Sequence, residues 1–410
     1  MNNLKNIASY SGIVFGFALM GPLKWLSIIT IILVVIWLLT LYPYSFKLKT
    51  TPILTLLLFS CIALGVFTSH HNLRAGAVLE RSISLFVFPL FLMLGLHHKL
   101  KLKNPLIGLT AGVMLSSLIA IVLATIRTIS TGSFYEPVHE THFVYHHFFH
   151  QNLTKPIGVN AVYLAHAAVL SLLFILHKWA TDAGQLSKKH KSILAFFALY
   201  ILIVILLCKS VMAFVCFLFI LILFIAFNPA FKAVFKRFKL QASIALAAML
   251  GLGVWVVYSK FQVFDFAFDF SDPYLRPLQI RLAIWQSAFQ KISAAPWLGY
   301  GTGDSLAAMI AAYQESDFTI GLTNSFNAHN TYFELWLQIG VIGPLLFVLM
   351  IVNRLITTLK THAFLSAAAV LIIAFFSLSE SVLLTFRGVA FVCFCLFLLS
   401  ASSSKKHIEP

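Results

Sequence analysis

The segment Asn327-Ala-His329-Asn330-Thr-Tyr332-Phe-Glu334 gathers an imidazole, two amides and a carboxylate where a long polar stretch gives way to an apolar run. A histidine at such a border titrates near neutral pH and can take a proton from an incoming hydroxyl. The plainer alternative is an interfacial histidine beside an anchoring Tyr332. Glu334 follows Asn330 by one helical turn and shares its face, where a buried carboxylate needs a partner or a water-filled cavity. Upstream, Arg276-Pro-Leu-Gln-Ile-Arg281-Leu-Ala-Ile-Trp285 opens an amphipathic helix running to about Ile292, with Ile284, Trp285, Ala288, Phe289 and Ile292 at helical spacing. Pro296 to Asp304 then forms a glycine-rich turn, and Ser305 to Tyr313 a second short helix. Glycines there let backbone N–H groups approach an anion, though a plain turn is the stronger reading. It is not a dinucleotide fingerprint, because no parallel βαβ unit surrounds it.

Three other groups are candidates for chemistry. Arg74 and Arg81 lie seven apart at the start of an apolar helix, with Glu80 beside the second. An arginine in a span is costly, so Arg81 either faces a cavity as a phosphate contact or pairs with Glu80 or another helix. Arg74 fits the outer interface. His139, His142, His146, His147 and His150 stand among Phe and Tyr; an i, i+4 pair such as His142/His146 suits zinc only on a helix, and an aromatic, membrane-skimming loop is the better reading. The outer acids Asp265, Asp269, Asp272, Asp304, Glu315 and Asp317 are dispersed without a DxD pair, so no metal or other cofactor is required, although the Asp-x-x-x-Asp spacing of Asp265 and Asp269 leaves a loose cation site open.

The elements that position these groups follow from composition. Of the 410 residues 60% are hydrophobic and 10% charged, with a mean hydropathy of +0.93, whereas a soluble domain carries about 25% charged residues. Apolar runs predict helices near 7–22, 25–43, 52–68, 76–97, 105–126, 160–177, 192–207, 210–227, 241–258, 329–352, 363–379 and 383–400. The expected fold is therefore all-α: a polytopic integral membrane protein of about 12 spans, a single membrane domain over 1–410. The first span leads straight into a second and reads as retained rather than as a cleaved signal peptide. The formal charge of +16 is scattered between apolar runs, which marks topology and excludes a nucleic-acid patch. With the N-terminus inside, 18 of the 29 Lys and Arg fall in inner segments, so both termini are expected in the cytoplasm. Two long outer segments result, 127–159 and 259–328, and these are the natural place for extracytoplasmic chemistry. Cys61, Cys208, Cys216, Cys393 and Cys395 form no CxxC pair, so neither a disulfide nor a cysteine metal site is expected.

Arg281 followed by Trp285, the Pro296–Gly303 segment, and His329-Asn330 with Tyr332, Glu334, Gly340 and Gly343 resemble the O-antigen ligase and polymerase superfamily. The likeness is close over 276–343 and elsewhere extends only to the multi-span topology. It implies a membrane glycosyltransferase of GT-C-like architecture, in the bacterial inner membrane with its site facing the periplasm. Such an enzyme moves a glycan from undecaprenyl diphosphate to an acceptor hydroxyl such as lipid A-core. Polymerisation of repeat units or transfer to protein Ser/Thr are close alternatives, and a non-enzymatic polysaccharide transporter is a distant one. By resemblance His329 is the general base and Arg281 holds the diphosphate, assisted by Arg276. Asn330, Glu334 and Tyr332 support them. The family's Ser-Arg pair at a helix end appears here as Lys209-Ser210, in which lysine keeps the charge but loses the bidentate fork; an ordinary helix cap is its alternative reading. The stretch Asn160 to His166, with Tyr163, resembles part of the family's outer-face cavity.

Overall fold

The structure, a computed structural model, describes residues 2–41, 44, 46–96, 104–135, 146–182, 184–227 and 277–399, with isolated positions between 228 and 276. It is helical almost throughout. Among the described residues seven helices are long and apolar enough to cross a membrane: Leu23–Leu41, Thr50–Phe67, Asn72–Met93, Pro105–Thr131, Ala161–Thr181, Lys188–Leu207 and Ile342–Lys360. Val211–Phe227, Phe364–Ser379 and Phe386–Leu398 are shorter apolar helices. The expected span at 241–258 lies outside the described residues.

In chain order the helices are α1 (Asn2–Ser9), α2 (Ser11–Ala18), α3 (Leu23–Leu41), α4 (Thr50–Phe67), α5 (Asn72–Ser82), α6 (Ser84–Met93), α7 (Pro105–Thr131), α8 (His150–Thr154), α9 (Ala161–Thr181), α10 (Lys188–Leu207) and α11 (Val211–Phe227). After them come α12 (Pro277–Ala294), α13 (Ser305–Glu315), α14 (Thr319–Asn324), α15 (Thr331–Ile339), α16 (Ile342–Lys360), α17 (Phe364–Ser379) and α18 (Phe386–Cys393), the last running on as a wider π-turn to Leu398. Starts are set by local chemistry. The Asn104 side chain caps α7 at Leu106 N–H with Pro105 in its first turn, and the Asn160 side chain caps α9 at Val162 N–H.

Two expected spans are broken, and a third, 76–97, is interrupted at the single residue Ile83 between α5 and α6 without losing its run as a span. Residues 7–22 form α1 and α2, joined at Tyr10, rather than one rod. Here α2 crosses α7 so closely that a Cβ on Gly108 would stand 1.8 Å from the Ile13 carbonyl oxygen, and small residues at such a crossing let the backbones meet. Residues 329–352 divide at Gly340, whose φ of 69° and ψ of −165° end α15 and turn the chain into α16. A Cβ on Gly340 would lie 1.9 Å from the Trp297 carbonyl oxygen, so both the turn and the contact demand glycine.

Among the described residues two apolar cores matter for the site, beside a small cluster of Ala120, Ala124 and Leu153 where α7 meets α8. The larger fills the helix bundle, with Trp37, Phe88, Phe217, Phe347, Phe376 and Phe394 among its buried side chains. The smaller is formed by Ala283, Ile284, Ala288 and Ile292 of α12, Met309 and Tyr313 of α13, and Phe318, Ala328 and Leu337. Phe289, expected on the apolar face of α12, is 62% exposed. Helices α12–α15 are thus a small module docked on one end of the bundle.

Candidate active site

The module is joined to the bundle at two places, each organised by a carboxylate. At the first, α17 ends at Glu380, which is 8% exposed. Its Oε1 accepts from the Arg281 guanidinium at 3.2 Å, and its Oε2 faces His329 Nδ1 at 3.2 Å. Arg281 also donates to the Ser379 carbonyl. Burial pushes the Glu380 carboxyl up, but the His329 hydrogen bond and the charges of His329 and Arg281 outweigh it and hold the group below the usual glutamate range.

The backbone around His329 is held tightly. His329 takes the left-handed conformation, φ 43°, with its N–H donating to Asn327 Oδ1 at 2.9 Å. Asn330 caps α15, its Oδ1 accepting from Tyr332 and Phe333 N–H, while its Nδ2 donates to the Leu378 carbonyl. Thr331 Oγ1 donates to the Glu380 carbonyl at 2.7 Å and accepts from Val382 N–H at 3.0 Å. Glu334, fully enclosed, accepts from Ser305 Oγ, Gln338 Nε2 and the backbone N–H of Ala328. Its oxygens are therefore taken up behind the His329 turn, away from Glu380 and Arg281. Tyr332 points into the bundle, with its hydroxyl on the Ala374 carbonyl and its ring 5.5 Å from Phe347. It anchors α15 rather than lining the cluster.

Other residues stand around this centre. Arg81 donates to the Leu384 carbonyl at 3.3 Å, at the far end of the turn that Glu380 begins. Tyr163 and His166, on one face of α9, support the turn from within the bundle. The Tyr163 hydroxyl meets Thr385 Oγ1 at 2.8 Å, and the His166 ring stacks on Phe376 at 4.3 Å. Lys209 is placed over the Phe149 ring at 4.0 Å, beside the first long loop, and Ser210 Oγ accepts from Ala213 N–H. Neither is joined by a described contact to Arg281, Glu380 or His329. Arg276, His139 and His142 lie outside the described residues. Among the described residues no group of three His, Cys, Asp or Glu side chains is placed to hold a metal.

The second joint is the glycine-rich segment. The N–H groups of Tyr300, Gly301 and Thr302 donate to the carbonyls of Leu337, Gln338 and Gly65, and that of Gly303 to Ser69 Oγ. Asp304 accepts from the N–H groups of His70 and His71 at 2.7 and 3.0 Å and meets His71 Nδ1 at 2.5 Å. With every one of these donors engaged, the segment is a clamp between α4 and α15 and cannot cradle an anion through its backbone. Burial raises the Asp304 carboxyl, but the bonds from His70 and His71 bring it below its ordinary value.

Sequence reasoning missed Glu380. The available signal was a lone carboxylate bracketed by Ser377, Ser379 and Ser381 at the end of an apolar run, a placement that by default suggests function.

No curated protein matches the chain. Residues 192–348 match the family model described as O-antigen ligase, a stretch that includes Arg281, the glycine-rich clamp, His329 and Glu334 and stops short of Glu380. This membrane family is glycosyltransferase-like and works on lipid-linked glycans, so the match supports ligase- or polymerase-type activity. Together with the helical bundle, it supports membership of this chain in the O-antigen ligase and polymerase superfamily.

Proposed function

We propose that this protein is an O-antigen ligase-type transferase that moves a glycan from undecaprenyl diphosphate to an acceptor hydroxyl such as lipid A-core, at the periplasmic face of the inner membrane. The observation that carries the reading is the Arg281–Glu380–His329 cluster. A carboxylate 3.2 Å from Nδ1 of His329 favours the tautomer that carries its proton there; Nε2 is then left to accept the acceptor's proton, and the carboxylate stabilises the imidazolium that forms. The acceptor oxygen attacks the anomeric carbon as the bond from that carbon to the diphosphate oxygen breaks, which inverts the centre. Arg281 is 32% exposed and keeps N–H groups beyond those on Ser379 and Glu380 to take the departing diphosphate. Arg81, on the Leu384 carbonyl, adds positive charge beside the turn that Glu380 begins, and Asn330, Glu334 and Tyr332 hold the backbone that carries His329. Arg276 is a further phosphate ligand by resemblance, and Lys209 with Ser210, which stands apart beside Phe149, serves the donor only if the glycan carrier reaches that loop.

The test is transfer by purified protein in EDTA, using carrier-linked glycan and a panel of lipid A-core, carrier-linked repeat and peptide acceptors. Wild type transfers without a gradient, and a folded His329→Ala variant loses about 100-fold or more. An equally active variant removes His329 as base. The acceptor that reacts distinguishes ligase from polymerase and from protein transferase.

A further inference from the structure

Trp297 and Leu298 are 75% and 85% exposed, although they are large apolar side chains outside every span. They occupy the turn between α12 and the glycine-rich clamp, and this turn is pinned. The Pro296 carbonyl accepts from Val341 N–H at 3.0 Å and from Trp336 Nε1 at 2.8 Å, and Gly340 abuts the Trp297 carbonyl. The turn therefore sits at the mouth of α16. From that mouth Ile342, Leu345, Val348, Leu349, Val352 and Ile356 run down the span at helical spacing, each about two-fifths to one-half exposed. This is the face that α16 turns away from the protein, toward lipid. Phe67, at the neighbouring end of α4, is 87% exposed, and Thr302 of the clamp docks beside it on Gly65.

We propose that Trp297 and Leu298 form a membrane-interface anchor whose partner is the headgroup and upper acyl layer of the bilayer. The pair continues the lipid-facing line of α16 just past its end, and tryptophan is the residue whose ring and N–H suit that layer. The anchor is fixed to the C-terminal end of α15, the helix that His329 precedes. The inference rests on the membrane-spanning fold and not on glycan transfer.

The full chain in nanodiscs tests it, with phosphatidylcholine brominated either high or deep on the acyl chain and tryptophan fluorescence as readout. Comparison of wild type with Trp297→Phe isolates the Trp297 emission. It is expected to be quenched more by shallow than by deep bromine and little by aqueous iodide, and the double variant Trp297→Phe/Leu298→Trp is expected to regain the lost signal. The proposal is overturned if Trp297→Phe leaves shallow quenching unchanged, or if the Trp297 emission answers to iodide instead. Quenching that is lost when each nanodisc holds two copies assigns the patch to a second copy of the chain, and overturns it equally. None of these readings depends on activity, so a failed transfer assay leaves them intact.

Discussion

Glu380 and Asp304 both tie the α12–α15 module to the bundle, both meet a histidine, and both are held below their ordinary carboxylate range. They differ in what fills their oxygens. Asp304 accepts two backbone N–H groups as well as His71, so its charge completes the main-chain bonding of the turn after α4. Among the described residues Glu380 receives only side chains, an imidazole and a guanidinium that are themselves 27% and 32% exposed. A carboxylate satisfied by backbone closes a joint. One facing a proton-carrying ring can orient that ring for chemistry, much as the carboxylate of a catalytic triad does.

Substitutions that treat the two carboxylates alike should therefore give unlike results. Glu380→Gln keeps the shape but loses the charge opposite His329 and Arg281, and is expected to lower glycan transfer about 100-fold with little change in thermal unfolding. Glu380→Asp should recover part of that loss. Equal transfer by wild type and Glu380→Gln would reduce Glu380 to a second joint. Arg281→Lys retains a positive charge without the fork and is expected to cost about 10-fold, seen chiefly as weaker use of the diphosphate donor. If Arg281→Lys behaves as wild type, the guanidinium geometry is irrelevant to the donor.

On the other side of the comparison, Asp304→Ala strands two N–H groups and should destabilise the fold by about 2 kcal/mol, with near wild-type transfer per folded molecule. Unfolding followed in detergent, beside the transfer assay, separates these effects; a large loss of transfer at unchanged stability would place Asp304 in the chemistry. The smallest effect concerns pH. Because the Asp304 carboxyl is depressed in the fold, its contribution is complete above the unfolded value of about 3.9. That contribution is lost as pH falls through the lower folded value. Wild type should thus lose more unfolding temperature than Asp304→Ala over that acidic window, and parallel curves would show that the joint carries no charge-dependent stability.

The membrane class, the helical character and most of the span positions followed from composition and apolar run length, because a backbone in hydrocarbon must bond within its own segment. The motif region was equally legible: the Arg281 helix, the glycine-rich turn and the His329–Glu334 stretch were recognised from residue types at short spacing, and the O-antigen ligase match covers them. Tertiary structure decided what joins across distance. Glu380 stands 51 residues from His329 and 99 from Arg281, separations over which no helical period carries information. It also decided that Glu334 serves the Ala328 turn, that the glycine-rich N–H groups are consumed by α4 and α15, and that Gly340 breaks an apolar run that reads as one span. The physical reason is the same in each case. Hydropathy and spacing report how a segment meets its solvent and itself, whereas a buried carboxylate, a filled N–H or a missing Cβ has its meaning only in the partner that packing brings against it.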